Sequence, residues 1–566
     1  MKTVSLSNKK TQLIIILSAY IVFASIFGFA YRYAMNPDGI CHLRLAGYIA
    51  EGHFRQSVNS TWSPLITWMI APFLYAGFDG LTAARIAIAL CGAGLLFCSW
   101  LMASRFHLSE SMKFISVLIA ALLISFFTVQ FIAADVLFAA LLMLLFYLIT
   151  TPGILEKRII SFYCGIVGGF SYLAHHYGIA FFVVYFPSYL ILRGLFERDK
   201  EGFPWKKVFA SLAAGIAGFI LVASIWVGIV SAKYGHLTIT SKGGIAHMIM
   251  GPKDTDRRPP YFVGGLYKPR DAYAIHIFED PSEIKFKDWS PFESREYFIH
   301  QLKVIKDNAV YILNHFVNMS PFFTYASIVG VLVLISIALF LIRMNNDKKF
   351  LYAWFILTFS VYCSGFLPLI ARSPRRFYAL MILFLFLSVH FIEELKNILG
   401  DMISERKRRL LTVYFLIVII SAFALKPGIR LLESFKSVAA REQVNPYKDI
   451  AEQIKDIQFP SPYAIIRSSQ KPHTDIYIAY YLGKQLLGRP LSQDTEGITK
   501  ELNAAGARTL LVFDNTEIAE KLKSDKRYIH VTFRKLRKDS RYLHAVNIEQ
   551  DEIKGWDKEI NIFKLK

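Results

Sequence analysis

The chain has 566 residues, 54% of them apolar and only 19% charged, with a mean hydropathy of +0.38 and a net charge of +21. A soluble chain averages about a quarter charged residues. Here the apolar residues gather in runs of about 17–25, the length that crosses a hydrocarbon core of roughly 30 Å. A soluble enzyme, a fibrous protein and a disordered hub are excluded for most of the length, and the composition reads as a polytopic, mainly α membrane protein.

The first apolar run, 12–30, follows Lys9 and Lys10. It is too long for the hydrophobic region of a signal peptide and ends in no clear small-residue cleavage motif, so it reads as an uncleaved anchor. Further spans are expected at 82–104, 112–130, 134–150, 159–175, 178–194, 208–230, 322–342, 350–370, 377–395 and 410–425. That makes about 11 transmembrane helices and puts the termini on opposite sides. Lys and Arg concentrate in one set of short links: Lys9 and Lys10, Arg105 and Lys113, Lys157 and Arg158, 193–207, Arg343 to Lys349, and 396–409. The positive-inside rule makes that set cytoplasmic, with the N-terminus, and explains much of the charge.

Three segments then face outward: loops 31–81 and 231–320, and a polar tail, 426–566. The stretch 64–78 is short and holds prolines, which suits a helix lying along the interface. In the tail, helical spacing at 447–457, 476–487 and 517–522 alternates with strand character at Tyr463–Arg467 and Thr509–Phe513, which predicts a C-terminal extracytoplasmic α/β domain beside a 1–425 transmembrane domain. The basic run Arg534, Lys535, Arg537, Lys538 and Arg541 suits either a solvated surface or anionic lipid headgroups. Of five cysteines, only Cys41 falls in a polar loop. No CxxC pair, zinc-type spacing or nucleic-acid motif occurs.

Chemistry concentrates at a few positions. Asp38 opens an amphipathic pattern in the first loop, as a helix cap or as a fixed, ionised carboxylate. His42 lies one turn on, on the same face, where it would orient the acid, hold a metal or serve structurally. Asp135, at the outer mouth of a span, is costly there unless paired or wetted. His175 and His176 mark the outer end of another span. Lys242 precedes Gly243 and Gly244, which would permit close approach of a phosphate. In the link Ala371-Arg372-Ser-Pro374-Arg375-Arg376-Phe377-Tyr378, three arginines face the side where the charge rule predicts few. They anchor in lipid headgroups or bind an anion, for which the planar guanidinium is suited.

The stretches Asn36-Pro37-Asp38, Ala46-Gly-Tyr48-Ile-Ala-Glu51-Gly52 and Ser63-Pro64-Leu65-Ile-Thr-Trp68 resemble the first outer loop of the GT-C membrane glycosyltransferases, of the family 39 and protein O-mannosyltransferase-like kind. Ala83-Ala84-Arg85 and Ala133-Ala134-Asp135 are similar to the openings of later spans, and the likeness runs over about the first 200 residues. Two departures stand out: Gly39 replaces the family's second loop acid, and His175-His176-Tyr177-Gly178 replaces a basic element after the fifth span.

The resemblance implies an inverting glycosyltransferase, moving a hexosyl or pentosyl group from a polyprenyl-monophosphate sugar to an acceptor hydroxyl on the outer face of the cytoplasmic membrane, in cell-envelope glycan, glycolipid or glycoprotein synthesis. On this reading Asp38 is the base, Asp135 positions the acceptor or assists a metal, and the resemblance puts the Arg375-Arg376 link at the donor phosphate, joined by Arg372 and, from its own Lys-Gly-Gly sequence, Lys242. His42, His175, His176 and Arg85 would orient the acceptor. A divalent metal, and whether the acceptor is glycan, lipid or protein, stay open. The alternatives are a transporter or flippase of lipid-linked sugars, which would need charges near the midplane, and a noncatalytic envelope scaffold.

Overall fold

The structure is a computed structural model that describes residues 9–198, 202–252, 264–284, 288–317, 346–370, 372–399, 404–467, 474–536 and 559–566. Helix α1 (Lys9–Ala30) leads into the first loop, which holds α2 (Pro37–Ala50), the short α3 (Phe54–Ser57) and α4 (Pro64–Tyr75). Both α2 and α4 begin with proline in the first turn, where its fixed φ suits a helix and its missing N–H costs nothing. Then follow α5 (Gly80–Ala103), capped by Asp79 accepting from the Thr82 amide at 3.2 Å, and α6 (Glu110–Gln130), capped by Ser109. The bundle continues through α7 (Asp135–Ile149), α8 (Arg158–Ala174), α9 (Tyr177–Phe196) and α10 (Trp205–Tyr234).

Beyond it lie α11 (Lys242–Ile249), α12 (Arg295–Val317), α13 (Asn346–Ser364), α14 (Tyr378–Leu399), α15 (Glu405–Phe423) and α16 (Leu425–Ala440). Among the described residues, six helices are long and apolar enough to cross a bilayer: α1, α5, α6, α9, α10 and the segment Pro374–Glu394, with α15 and α16 adding a seventh if their bent pair is one span. Eleven full-length helices are therefore not what the described residues contain. Helix α7 has 15 residues, about 22 Å at 1.5 Å per residue, and α8 has 17. Helix α13 opens on Asp347, Lys348 and Lys349, and the expected span 322–342 lies outside the described residues.

Helices α8 and α10 approach backbone to backbone. A Cβ on Gly165 would stand 1.9 Å from the Gly215 carbonyl oxygen, and one on Gly218 would stand 2.2 Å from that of Phe162. Small residues at this spacing allow the dispersion contact that drives helix association in lipid, where the hydrophobic effect between helices is absent.

The tail forms a six-stranded sheet in the order β1-β3-β2-β4-β6-β5. Its strands are β1 (Gly265–Leu266), β2 (Tyr463–Arg467), β3 (Leu486–Arg489), β4 (Thr509–Phe513), β5 (Tyr528–Lys535) and β6 (Glu559–Leu565). The parallel core β3-β2-β4 is flanked by antiparallel partners. β2 and β4 are buried along their whole length, which is why both centre on apolar runs, Tyr463–Ile466 and Leu510–Phe513. One face (Ala464, Ile466, Leu510 and Val512) packs under α19 (Thr495–Ala505) and α20 (Thr516–Ser524). The other (Tyr463, Ile465, Leu511 and Phe513) meets α17 (Pro446–Lys455) and α18 (Thr474–Leu482) and continues into the core of the helical bundle.

Two expectations change here. The helix expected over 476–487 ends at Leu482, because Gly483 takes φ +63° and the chain turns into β3. The sheet also draws β1 from the second loop, so it crosses the boundary expected at 426. Of the basic run, Arg534 pairs with Asp456 at 2.7 Å, and Arg537, Lys538 and Arg541 lie outside the described residues.

Replacing Gly165 by Ala should force α8 from α10 and cost about 1–3 kcal/mol, the usual penalty of overpacking. Thermal unfolding of the full chain in detergent would read this as a lowered Tm.

Candidate active site

Three chain segments meet at one end of the bundle: the start of α2, the link between α6 and α7, and the tight turn Pro374–Phe377 ahead of α14. Asn36 is extended and buried, and it stitches the first two. Its Nδ2 donates to the Ile132 carbonyl at 3.3 Å, and its Oδ1 accepts from the Ile132 amide at 2.8 Å. Asp38 therefore is not the helix cap. It lies in the first turn of α2, and its carboxylate is free to reach across the junction.

That carboxylate is ion-paired with the Nη2 of Arg375, whose Nε lies 3.6 Å from Asp135 Oδ2. Arg375 thus bridges two acids from different segments while its guanidinium rests over the Phe131 ring, 4.8 Å from the centroid. The side chains of Asp38, Asp135 and Arg375 are 26%, 10% and 17% exposed, so the pair is shielded yet reachable. Burial alone would raise the Asp38 pKa, but Arg375, Lys242 and His42 outweigh it and hold the carboxyl well below its usual range.

The turn bearing Arg375 is fixed from behind. The Tyr362 hydroxyl donates to the Arg376 carbonyl, and the Tyr378 hydroxyl donates to Gln130 Oε1 at 3.2 Å with its ring stacked on Phe127. The Arg376 guanidinium lies 5.3 Å from the Phe366 ring and within Coulomb reach of both acids.

Lys242, first residue of α11, lies half-buried over Trp62 with its Nζ 3.9 Å from the ring centroid. Ser60, Thr61 and Ser241 stitch that loop to α11 through hydroxyl contacts of 2.9 and 2.7 Å. Burial lowers the Lys242 pKa, with Asp38 opposing and the two arginines adding to the shift. His42 shares the α2 face of Asp38, edges onto Trp62 at 5.5 Å and has its Nδ1 3.4 Å from Thr67 Oγ1. Burial lowers its pKa to about 4.

His175 stacks on Phe138, one turn after Asp135, and its Nδ1 accepts from the Tyr177 amide at 3.2 Å, which puts the ring proton on Nε2. Burial, with the nearby cations adding, lowers His175 and His176 to about 3. All three histidines are therefore neutral near pH 7, and a neutral imidazole has one nitrogen that donates a hydrogen bond and one that accepts.

Two expected residues lie elsewhere. Arg372 is 59% exposed and 3.8 Å from Asp307 of α12. Arg85 is buried in α5 and donates to the carbonyls of Ala34, Thr128 and Val129, where it closes the end of α6 and supports the loop that carries Asp38. Gly39 has a steric explanation: a Cβ there would stand 2.7 Å from the Cβ of Ile132. The junction that holds Asp38 against the α6–α7 link leaves no room for a second acid.

Sequence reasoning missed Glu279. It is buried, accepts from Tyr48 at 2.5 Å and from the Ile275 amide at 2.8 Å, and lies 3.4 Å from Arg44. Its own carbonyl accepts from Asn59 at 2.7 Å. It clamps the second loop onto α2. The apolar run Ala274-Ile-His-Ile-Phe278 before it was the available signal that this acid is buried. Cys41, expected in a polar loop, is buried within α2. Among the described residues no group of three His, Cys, Asp or Glu side chains is gathered to hold a metal ion.

No family model matches the chain, and no curated protein matches it by sequence. Solved structures do. ArnT from Cupriavidus metallidurans in the apo state aligns over 98% of both chains with a TM-score of 0.51 at 14% identity. The same protein bound to undecaprenyl phosphate aligns over 98% of both chains with a TM-score of 0.45 at 15% identity. AglB, the oligosaccharyltransferase of Archaeoglobus fulgidus in complex with an inhibitory peptide and a dolichol-phosphate, covers 88% of this chain and 69% of its own, with a TM-score of 0.42 at 10% identity. The first of these alignments shows the fold, which is shared with ArnT over nearly the whole chain.

Two outcomes are expected. Gly39→Ala should lower the Tm, by about 1–3 kcal/mol of stability, because the neighbouring Ile132 backbone is itself fixed by Asn36. The second concerns pH. The folded-state pKa of His42 lies below the free value of 6.5, at about 4, so the unfolded chain binds the proton first. Stability therefore falls as pH drops from about 6.5 to about 4. His42→Gln should remove one histidine's share of that loss in thermal unfolding at stepped pH, leaving the share of His175 and His176. Asp38, whose pKa is lowered, contributes its own loss only below that window.

Proposed function

We propose that the protein is a GT-C glycosyltransferase that moves a sugar from a polyprenyl-monophosphate donor to an acceptor hydroxyl on the outer face of the cytoplasmic membrane. The observation that carries this is Arg375 held between Asp38 and Asp135, with Arg376 and Lys242 beside it, at one end of an apolar bundle. Three basic side chains face two acidic ones, which leaves the site a surplus suited to an anion. A lipid tail stays in the bilayer while its phosphate reaches that end. The fold is compatible, and the ArnT structure described as bound to undecaprenyl phosphate supports the donor class.

In this reading an incoming phosphate competes for Arg375 and frees an oxygen of Asp38. Asp38 takes the proton of the acceptor hydroxyl as that oxygen bonds to the anomeric carbon. The bond from the anomeric carbon to the phosphate oxygen breaks, and its electron pair leaves on the lipid phosphate, whose charge Arg375, Arg376 and Lys242 receive. Attack opposite the leaving group inverts the anomeric centre. Asp135 keeps the Arg375 guanidinium aimed, and His42 and His175 offer neutral hydrogen-bonding groups to sugar or acceptor. With no room at Gly39, proton removal falls to one carboxylate, in contrast to the resembled family's pair of acids in this loop. The acceptor is a glycan, lipid or protein hydroxyl in envelope assembly, and the family 39 kinship belongs to this proposal.

The test compares membranes from a deletion strain expressing the wild type, Asp38→Asn, Arg375→Gln or Arg372→Ala, with polyprenyl-phosphate sugars followed by mass spectrometry. Asp38→Asn should reduce turnover about 10²–10⁴-fold, the usual range for a lost general base, and donor should accumulate. Arg375→Gln should behave alike, and Arg372→Ala should stay near wild type because its partner is Asp307. Wild-type turnover by normally expressed Asp38→Asn would remove Asp38 as the base.

A further inference from the structure

Helix α16 leaves α15 at a bend of 56° and lies across the ends of α1 and α6, where Leu431 joins a cluster with Phe27, Tyr31, Leu122, Phe126 and Val129. Those ends lead directly into Asn36 and Ile132, so α16 occupies the same end of the bundle as Asp38. Its amphipathicity is inverted. The inward face holds the small Pro427, Ser434 and Ser437 beside the half-buried Leu431, with the Ser434 hydroxyl donating back to the Arg430 carbonyl at 2.7 Å. The exposed face carries the large apolar side chains: Leu425 at 44%, Ile429 at 48%, Leu432 at 64% and Phe435 at 59%.

A helix on the surface of a soluble domain hides its apolar stripe against the core. Here the small face makes the protein contact and the apolar stripe is turned away from it. The stripe also continues a row on α15, where Leu410, Val413, Tyr414, Ile417 and Ile420 are exposed. An apolar surface therefore runs from the apolar part of α15, around the bend, onto α16. By helical spacing, Lys426 and Arg430 border one edge of the stripe and Lys436 emerges within it, all three exposed. The single acid of the helix, Glu433, is taken by Arg430 at 2.9 Å.

We propose that α16 is an interfacial helix whose occupant is the bilayer leaflet at the active-site end. Leu425, Ile429, Leu432 and Phe435 sit among the upper acyl chains, and Lys426, Arg430 and Lys436 contact anionic lipid headgroups. The stem of Lys436 can lie along the stripe while its ammonium reaches the phosphate level. Apolar stripe and basic edge are the two attractions that hold such helices to a membrane. The assignment does not rest on the transfer chemistry.

The test uses the full chain in vesicles of phosphatidylcholine, with and without about one third phosphatidylglycerol. All five native cysteines are buried, so one introduced thiol is the site a nitroxide reagent labels. Labels go separately at Leu432→Cys and Phe435→Cys, and at Lys448→Cys on α17 as a water-facing reference. Relaxation by oxygen relative to a water-soluble nickel chelate should be several-fold higher at 432 and 435 than at 448. Equal ratios at all three positions would overturn the proposal, since the stripe would then face water. Protection of 432 and 435 from both reagents would overturn it too, since protein would then cover the face. Phosphatidylglycerol should deepen the label at 432, and Lys426→Gln with Lys436→Gln should abolish that change. No response to lipid composition in the otherwise native chain would overturn the headgroup assignment.

Discussion

Two carboxylates from distant parts of the chain share one guanidinium at the end of an apolar bundle, and the surrounding structure is arranged around that sharing. Neither acid could be shielded alone at this depth without a large desolvation cost, and Arg375 would meet the same cost without them. The interaction fixes three segments at once: the first loop, the α6–α7 link and the turn before α14. Asn36 locks the first two backbones together, and Tyr362 with Tyr378 locks the third. The geometry of the charges is therefore set by neutral hydrogen bonds, which hold whether or not an anion has drawn Arg375 away.

A second layer of support comes from the long loop. Glu279 ties α2 to the segment 273–279 through Tyr48, Arg44 and the Ile275 amide, while the Phe278 carbonyl accepts from Trp62 at 3.1 Å. Trp62 in turn carries Lys242 on one ring face and meets His42 at its edge. The second outer loop is thus the part that aims a cation at the site. The hydrogen bonds of Glu279 with Tyr48 and the Ile275 amide, and of the Phe278 carbonyl with Trp62, are buried, so this stretch is held without a regular helix or strand.

Much of this was legible in the sequence because it breaks local rules. Asp38, Asp135 and the Arg375-Arg376 pair stand out as charges where apolar runs end, and the charge bias of the loops put the arginines on the unexpected side. The apolar runs marked the helices of the bundle, though fewer than eleven are long enough to span among the described residues, and the apolar centres of β2 and β4 marked two of the six strands. What was hidden depended on long-range partners. Arg372 and Arg375 are three residues apart and look alike in sequence, yet one turns toward Asp307 and the other between two acids. Arg85 resembled a site residue because its span-opening motif did, but its guanidinium serves carbonyls. The steric closure at Gly39 is invisible without Ile132 beside it.

The two-residue strand β1 has a wider meaning than its length suggests. It ties the second loop to β3, reinforced by the Leu486 amide donating to the Ile275 carbonyl at 2.7 Å and by Gln485 reaching the Ala274 carbonyl at 3.0 Å. The tail therefore acts as an external brace for the loop that carries Glu279. A truncation before α17 would not simply remove an appended module. It would strip the sheet edge from the loop and loosen the mounting of α2, so loss of activity in the shortened chain would report on the brace as much as on any partner of the tail. The α/β layer and the apolar bundle make one mechanical unit, although the chain presents them as two.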